Sequence, residues 1–558
     1  MSRFRIVEID LINTIPLRTG ETPAHGMRPH GTLARVPTSL ETTETLRFSD
    51  LGYVDEGHRP YHPLVTQAFD VDRGISLTSD ALGGTSTFGS ITLINDGSLD
   101  GVITQWPTDH LPVRILSGEK THDRERGIWI DPPRADLQPV FGGLGSLWQP
   151  GRRSLTIPLL GALSWLSVGL VSRIYGGAGG LDGDSNVLGQ TMPILRGTAS
   201  NLTPVLIDAA NDVYQVSDGP AHISALYEGG FAGGIAFAGT VSDLYAQSPA
   251  PGTYLIQSGQ TGTWIRLGTK PVYGITVDAF GSFPSGAAPT SILDILRQML
   301  LEDFLLPEAY LDTGWDTVSG LAPWAGGWFW SGTDAVTGQD VVRTLLSGLG
   351  LSIVSTRTGT LLPIQLAVPW FGQDPDLILT ADQITEIEPV ALDTSLSPPT
   401  WRWRIGWGHN FTVQTTGSGL HPQAPSDRQA VIATSDRYAV WARTSLRSRW
   451  RVPNDPAPVV TALSDITSAS SIAESHGQLW GDLRTLWAVT VPADVAWKVD
   501  LGSYIAIQAP VPGLTAQTRG LVVSEHARAG EATVTLQVLV IGNTTDPAQQ
   551  GDFLGDIR

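Results

Sequence analysis

Short apolar runs separated by turn residues are the dominant pattern of this 558-residue chain. Residues 89–97 are a β-branched run closed by an Asn-Asp-Gly turn, and residues 204–208 and 212–217 repeat the pattern. Such runs predict strands joined by turns, for which 62 glycines and 38 prolines provide the residues. Residues 533–540 alternate with a period of two, which predicts a half-buried strand. The side chains predicted to point inward are Val534, Leu536, Val538 and Val540.

Composition excludes several classes of protein. A hydrophobic content of 41% is enough to offset the entropy of ordering the chain, so the protein is not disordered. The absence of cysteine excludes disulfides, cysteine-ligated zinc, iron–sulfur clusters and thiol nucleophiles. A formal charge of −19 argues against tight nucleic-acid binding, which needs lysine and arginine, but like charge allows DNA to move past without adhering.

Residues 155–171 are uncharged and reach the lower length limit for a membrane helix. Pro158, Gly161 and Gly169 interrupt the segment, so we expect buried strands here and no membrane span. The N-terminus has no charged region followed by a long apolar region, so we also expect no secretion signal.

Helix signals are few. Ser291 followed by Asp294 predicts a capped helix start, and Pro307 predicts its end. Thr337 with Asp340 predicts a second helix of the same kind, which we expect to be closed by Gly350. Both helices would form a small α+β subdomain within an otherwise β-rich chain.

A third helix is predicted over residues 471–487, followed directly by strands. We expect Ile472, Leu479 and Leu483 to pack one of its faces on a C-terminal barrel. His476 lies on the same apolar stripe, which favours a packed residue over a catalytic base. The whole stripe comprises Ile472, His476, Leu479, Trp480, Leu483, Leu486 and Trp487.

Most of the 18 tryptophans follow residue 300. They include two groups, at 324–330 and 401–407, of which the second alternates as on one face of a strand. Packing is the first interpretation, because large rings at strand spacing usually fill cores. The alternatives are a subunit interface, which we favour of the two, and a platform for sugars. The residues concerned are Trp324, Trp328, Trp330, Trp401, Trp403 and Trp407.

No catalytic, cofactor-binding or metal-binding residue is predicted. The glycine-rich run 176–180 lacks the Gly-Lys-Ser/Thr of a P-loop and the glycine spacing of a dinucleotide site, so it predicts a turn. No serine has the flanking glycines of a nucleophile elbow. Prolines separate His58 and His62, and residues 182–186 imitate only the start of a calcium loop, so a bound Ca²⁺ there stays open. Paired acids for glycoside hydrolysis cannot be read from spacing alone.

Many short segments, taken together in order and spacing, resemble one protein family. The matching segments are 91–100, 111–116, 175–208, 213–216, 249–281, 471–487, 500–505 and 533–540. The chain resembles the tail-hub or baseplate-hub proteins of long-tailed bacteriophages and gene transfer agents. The resemblance implies β-barrel-like tube domains, two per chain, arranged as a homotrimer that imitates the sixfold tail tube. The chain stops soon after Val540, which puts direct host recognition in doubt and predicts a separate fibre protein.

The fold class expected is therefore mainly β and multi-domain, with tube-like barrels or sandwiches and a small α+β helical subdomain. The expected parts are an N-terminal β tube-like domain at 1–150, a glycine-rich β domain at 151–270, an α+β subdomain at 271–366, a second tube-like domain at 367–460, and a helix with a C-terminal barrel-like domain at 461–558.

The resemblance implies a structural virion protein at the tail tip, assembled in the host cytoplasm, and neither an enzyme nor a cofactor-dependent protein. The implied partners are further copies of this chain, the distal tail protein, the tail tube protein, the tape-measure protein and a tail fibre or receptor-binding protein. DNA would pass only transiently through the lumen. A cell-wall or polysaccharide hydrolase and a receptor-binding protein are the alternatives.

Overall fold

The computed structural model describes residues 2–16, 39–82, 84–105, 110–332, 335–369, 373–415, 417, 419–509, 511–514, 518–541 and 552–557. These residues form several separate sheets with few helices, which confirms the mainly β, multi-domain fold class.

Residues up to 160 build the first large sheet, which we name sheet 1. Its strand order is β2-β1-β9-β11-β13-β8-β5, with β10 paired to β9 and β12 paired to β13, and all of these pairings are antiparallel. The elements of this part are β1 (Ser2–Pro16), β2 (Ser39–Ser49), β3 (Tyr53–Val54), β4 (Pro60–Tyr61), β5 (Val65–Gln67), β6 (Asp70–Gly74), β7 (Ser86–Thr87), β8 (Ser90–Ile94), α1 (Asp100–Gln105), β9 (Leu111–Asp123), β10 (Ile128–Ile130), a 3₁₀ turn (Arg134–Asp136), β11 (Gln138–Gly145), β12 (Gln149–Pro150) and β13 (Ser154–Leu160).

The middle of the chain forms two smaller sheets. One has the order β17-β21-β14-β22 and the other β15-β16-β20-β19-β18. Their elements are two 3₁₀ turns (Ala162–Ser167 and Gly180–Asp182), β14 (Ile194–Leu202), β15 (Val205–Asp208), β16 (Val213–Ser217), β17 (Ala221–Glu228), β18 (Ala236–Thr240), β19 (Thr253–Gly259), β20 (Gly262–Leu267) and β21 (Ile275–Gly281).

A helical part follows and ends in a two-stranded hairpin of β23 and β24. Its elements are α2 (Ile292–Glu302), a 3₁₀ turn (Glu308–Tyr310), α3 (Trp315–Leu321), β22 (Gly327–Trp330), α4 (Gly338–Leu346), β23 (Leu351–Ser355) and β24 (Leu361–Gln365).

The C-terminal part contributes the second large sheet, sheet 2, with the order β25-β30-β31-β32-β29-β26. Strand β6, from the N-terminal part, pairs with β31, and β7 pairs with β6. A smaller sheet has the order β27-β28-β33. The elements are β25 (Leu377–Thr380), β26 (Glu386–Val390), β27 (Arg402–Trp407), α5 (Ser426–Ile432), β28 (Arg437–Ala442), α6 (Leu446–Arg449), α7 (Ile466–Trp480), β29 (Thr485–Pro492), α8 (Ala493–Ala496), β30 (Tyr504–Gln508), β31 (Thr518–Arg528), β32 (Thr533–Val540) and β33 (Asp552–Ile557). The pairing of β6 with β31 joins strands from two of the expected domains. The expected domain bounds stay a prediction.

Sheets 1 and 2 share one hydrophobic core. Fully buried side chains of sheet 1, such as Ile9 and Val113, belong to the same cluster as Leu536 and Val538 of sheet 2. The alternation predicted for β32 is therefore confirmed at Val534, Leu536 and Val538, whereas Val540 is only partly buried. Leu539 is also buried, because the opposite face of sheet 2 is covered by α7 through Leu479 and Trp480.

The start signals predicted for two helices, at Ser291 and Thr337, have different outcomes. Thr337 and Asp340 form the predicted capping box at the start of α4. The start predicted at Ser291 is confirmed, since Ser291 is the N-cap of α2, but the capping box is wrong, because the Ser291 side chain caps no N–H and the Asp294 carboxylate accepts from Ser319 instead. Helix α2 ends at Glu302, before the predicted proline.

The boundaries predicted for the third helix are wrong. Helix α7 begins at Ile466, after Asp465 caps it by accepting the N–H of Ser468, and ends before Gly481. Residues 485–492 belong to β29, which pairs with two strands of sheet 2. The hydrogen bonds of these pairings make the segment a strand, although its apolar residues have the spacing of a helix. Ile472 and Leu479 are buried as predicted, but Leu483 lies beyond the helix and is 55% exposed.

Residues 155–171 are half strand and half 3₁₀ turn, so the strand prediction is confirmed only for the part within β13. Throughout the described ranges, no helix has the length and apolar character needed to cross a bilayer.

Candidate functional site

The tip of the β23–β24 hairpin lies at the junction of the two large sheets. Arg357, at this tip, is 7% exposed, and its guanidinium donates to the carbonyls of Val499 and Ala496 next to sheet 2. On the other side, a Cβ added to Gly142 of β11 would lie 2.3 Å from the carbonyl carbon of Thr358. The hairpin therefore contacts sheet 1 backbone to backbone, and glycine is required at this approach.

Four charged groups meet at this junction, and we name them the junction cluster: Arg73, Arg357, Asp500 and Glu525. Arg73 donates from Nε and Nη2 to Oε2 of Glu525 at 2.9 and 2.6 Å. Arg357 donates from Nη2 to the other oxygen of Glu525 at 2.8 Å. Asp500 lies 2.5 Å from Arg73. Two cations and two anions balance, which is what burial of charge requires.

Electrostatics within the junction cluster favour the ionised forms. Burial lowers the pKa of Arg73, but the attraction of Glu525 and Asp500 outweighs it, and the net pKa lies above the ordinary value. Burial raises the pKa of Asp500, but Arg73 and Arg357 outweigh this, so the net pKa lies below its ordinary value. Because Arg73 also donates to the carbonyl of Ser355, the cluster connects β6, the hairpin and β31.

A second cluster, centred on the buried Glu8, connects β1 and β9 of sheet 1 with β4 and the 3₁₀ turn at Arg134. Glu8 accepts from Arg134 at 2.7 Å, from Arg114 at 3.1 Å and from the hydroxyl of Tyr61 at 2.6 Å. Arg114 also pairs with Asp10. Burial raises the pKa of Glu8, but the hydrogen bonds from Arg134, Tyr61 and Arg114 outweigh it and bring the pKa to about 2.

A third cluster connects the middle sheets to the helical part. Arg196 of β14 is fully buried and forms bidentate pairs with both Asp218 and Asp303. Its guanidinium also lies 4.7 Å from the ring centroid of Phe283. Asp303 follows α2, so this pair fixes the helix end against the sheet.

The β9–β10 hairpin exposes apolar side chains on both of its faces. Ile128, Trp129 and Ile130 are 49%, 50% and 46% exposed. Consecutive strand residues point to opposite faces, so the described residues leave both faces of β10 about half exposed. Trp129 contacts only the ring of His122 across the hairpin among the aromatic pairs of the described residues, with centroids 4.9 Å apart. We name residues 128–130 the apolar arm.

The tryptophan groups pack inside the chain. Trp324 and Trp328 are 7% and 6% exposed and belong to the core around α2 and α4. Trp407 is 9% exposed, beneath the guanidinium of Arg437 at 3.6 Å from the ring centroid. The first interpretation, packing, is confirmed for these three. Trp330, Trp401 and Trp403 are partly buried.

The sequence candidates for ligand binding have structural partners of their own. The Asp182 carboxylate accepts the backbone N–H groups of Gly176 and Ala178, which folds the glycine-rich run into a turn. The Asp184 carboxylate accepts hydrogen bonds from the backbone N–H and the side-chain amide of Asn186. Within the described ranges, no group of three His, Asp or Glu side chains is arranged to hold a metal ion. His58 and His62 therefore belong to no such group.

One histidine that lines a cavity is paired with a buried carboxylate behind it, and sequence reasoning did not identify this pair. His409 Nδ1 lies 2.9 Å from the buried carboxylate of Asp436, beside a cavity of about 380 Å³ with walls that include Trp328 and Phe411. Among the described residues, no Asp or Glu lines this cavity or the neighbouring one that contacts Trp403, so neither cavity contains the paired acids that a glycoside hydrolase needs.

Two of the solved structures that this chain is similar to are tail proteins. A tail protein from Neisseria meningitidis MC58 aligns with 88% of this chain and 98% of its own, at 10% identity and a TM-score of 0.33. The 43 kDa tail protein of prophage MuSo2 from Shewanella oneidensis aligns with 87% and 97%, also at 10% identity and a TM-score of 0.33. Both are tail proteins, the class that the sequence resemblance indicates, but this TM-score does not establish a common fold. No protein-family model and no curated protein matches the chain.

The junction cluster could not be found by sequence reasoning. Arg73 and Glu525 are 452 positions apart, and neither lies in a recognisable motif. The one local feature that marks this junction is Gly142, which contacts the tip of the hairpin. With 62 glycines in the chain, the sequence does not distinguish Gly142 from the others.

Proposed function

We propose that this chain is a structural tail protein: a homotrimeric hub that closes the distal end of a phage-type tail tube. The hub connects the tube to the distal tail ring and the fibres and gates the passage of DNA. It makes and breaks no covalent bond. Its partners are further copies of itself, the tube and distal tail proteins, the tape-measure protein and a fibre protein, at the tip of the virion tail.

One observation carries the proposal: two large sheets in a single chain pack on one shared core. The junction cluster holds β6 and the β23–β24 hairpin on sheet 2, and the hairpin in turn contacts sheet 1 at Gly142. Three copies would bring six such sheets around an axis, which is the arrangement that the sequence resemblance implies for a trimer below a sixfold tube. The balanced charges of the cluster favour a fixed position of the hairpin between the sheets.

The apolar arm supplies a contact for assembly. Permanent interfaces bury apolar and aromatic side chains at their centre, and Trp129 is of the residue type most enriched there. With both faces uncovered, the arm can insert between its own sheet and a neighbouring copy. The hydrolase alternative has no comparable support, because the cavities beside the tryptophan groups lack carboxylates.

Imaging of tail particles tests the proposal. Particles isolated from the source strain and examined by cryo-electron microscopy should contain three copies of the full chain around the tail axis at the distal end. A single copy per particle, or copies placed along the tube wall, would exclude a hub. Turnover of host cell wall by the purified chain, abolished by one Asp or Glu substitution, would establish the enzyme instead.

A further inference from the structure

A second cavity, of about 430 Å³, lies between α7, the segment after α4 and residues 456–460. Its volume is in the usual range of small-molecule sites. The walls combine apolar groups with serine and threonine hydroxyls, and no Asp, Glu, Lys or Arg lines it. We name it the α7 cavity. The cavity is separate from the junction cluster and has no role in the proposed function.

His476 presents an unpartnered acceptor at the α7 cavity. Its ring is 7% exposed, and Nε2 lies 2.8 Å from the carbonyl oxygen of Gly348. A carbonyl only accepts, so Nε2 must carry the hydrogen, which leaves Nδ1 of the neutral ring as an acceptor. Nδ1 is buried and has no partner within the described residues. It faces Gly350, which lines the same cavity.

Trp403 presents an unpartnered donor at the same place. Its indole Nε1–H is buried and has no acceptor among the described residues. The rings of Trp403 and His476 are neighbours, with centroids 4.8 Å apart, and both line the α7 cavity. Buried polar atoms without partners are uncommon in native proteins, and here one donor and one acceptor occur side by side.

We propose that the α7 cavity binds a neutral sugar, with one sugar hydroxyl donating to His476 Nδ1 and accepting from Trp403 Nε1. A hydroxyl is the group that can do both at once. The hydroxyls of Ser76, Thr78 and Ser79 line the same cavity and can bond the remaining sugar hydroxyls, while Trp480 and Pro458 offer apolar surface to the ring carbons.

Charge excludes ionic ligands. A carboxylate or an ammonium group would be placed among neutral walls without a counter-ion, which costs free energy. Burial also lowers the pKa of His476, so the ring stays neutral at physiological pH and does not attract an anion. Since no carboxylate lines the cavity, the sugar is bound and not cleaved.

Saturation-transfer NMR on the full chain tests the proposal with glucose, galactose and N-acetylglucosamine as probes. At least one of them should receive saturation, whereas glucuronate and glucosamine, which carry a charge on the same ring, should receive none. Trp403→Phe removes the donor and keeps the aromatic ring, and we expect it to raise the Kd of the bound sugar about 2- to 10-fold.

A substitution at the entrance of the α7 cavity tests binding without changing a buried residue. Ala457 is exposed on the rim of the cavity within a Pro-Ala-Pro segment, so Ala457→Trp should block entry and abolish saturation transfer. Ala250 is exposed within the other Pro-Ala-Pro segment, away from the cavity, and Ala250→Trp should leave binding unchanged. The proposal would be overturned if none of the three neutral sugars received saturation, which would leave water as the occupant. It would also be overturned if Ala457→Trp left the Kd of the bound sugar unchanged.

Discussion

Glu525 is the residue through which β6 and the β23–β24 hairpin are both held on sheet 2. Its two oxygens each accept from a different arginine, Arg73 on one side and Arg357 on the other, and it is 2% exposed. Removing one partner of a buried ion pair is costly because it leaves the remaining charges uncompensated in a medium that solvates them poorly.

We expect Glu525→Gln to destabilise the protein by about 3 kcal/mol, because two guanidiniums would then share only Asp500. The free energy of unfolding from urea denaturation measures the effect. Glu531→Gln is the matched control, since Glu531 is 51% exposed and should change the free energy by less than about 0.5 kcal/mol. Equal stability of the two variants would show that the junction cluster does not hold β6 and the hairpin on sheet 2.

Glu8 gives a prediction for pH dependence. Its pKa is about 2 in the folded protein, against an ordinary value of 4.5. A lowered pKa means that the stabilisation by ionised Glu8 is complete above pH 4.5 and is lost as the pH falls towards 2. The melting temperature of the wild type should therefore exceed that of Glu8→Gln by the largest margin near pH 6, and the margin should narrow below pH 4.5.

The comparison with Glu8→Gln isolates this group from the other acids, which titrate in both proteins. Glu119→Gln, on the adjacent strand and 45% exposed, should show no such pH-dependent margin. A margin for Glu8→Gln that stays constant from pH 6 to pH 2 would contradict the account of this cluster.

Helix α7 shows at the scale of elements how one helix supports a sheet. Its last turn packs Leu479 and Trp480 against Leu539, on the face of sheet 2 that sheet 1 does not cover. Both faces of β32 are therefore buried at this end, whereas Thr533, Thr535 and Gln537 on the outer face of the strand are only partly buried.

We expect Leu479→Asp to cost roughly 3 kcal/mol or more, because it places an unpaired charge at a position that is 1% exposed. The same substitution at Leu483, which is 55% exposed, should cost less than about 0.5 kcal/mol. Urea denaturation of both variants checks the difference. Unaltered stability of Leu479→Asp would show that α7 does not support the sheet.

The sequence predicted local structure well where a local cause decides it. The capping box at Thr337 and the period of two in β32 depend on residues a few positions apart. The start of α7 was wrong because Asp465 caps the helix ahead of the predicted residues, and its end was wrong because β29 pairs with strands from elsewhere in the chain. The junction cluster and the cavity pair of Trp403 and His476 were not predicted, because their members are far apart in the sequence.

The whole molecule combines a rigid pair of sheets with an uncovered apolar arm. We expect Trp129→Asp to weaken self-association at least about 30-fold, since a buried aromatic anchor contributes about 2 kcal/mol or more. Trp129→Phe keeps an apolar ring and should retain most of the association. Sedimentation velocity over a concentration series checks both variants, and undiminished association of Trp129→Asp would show that the arm is not part of the interface.

The central claim is that three copies assemble around one axis. Native mass spectrometry of the full chain measures this directly, because each copy adds 59.6 kDa. We predict that the trimer is the dominant species at micromolar concentration. A dominant monomer or dimer over the whole accessible concentration range would contradict the account.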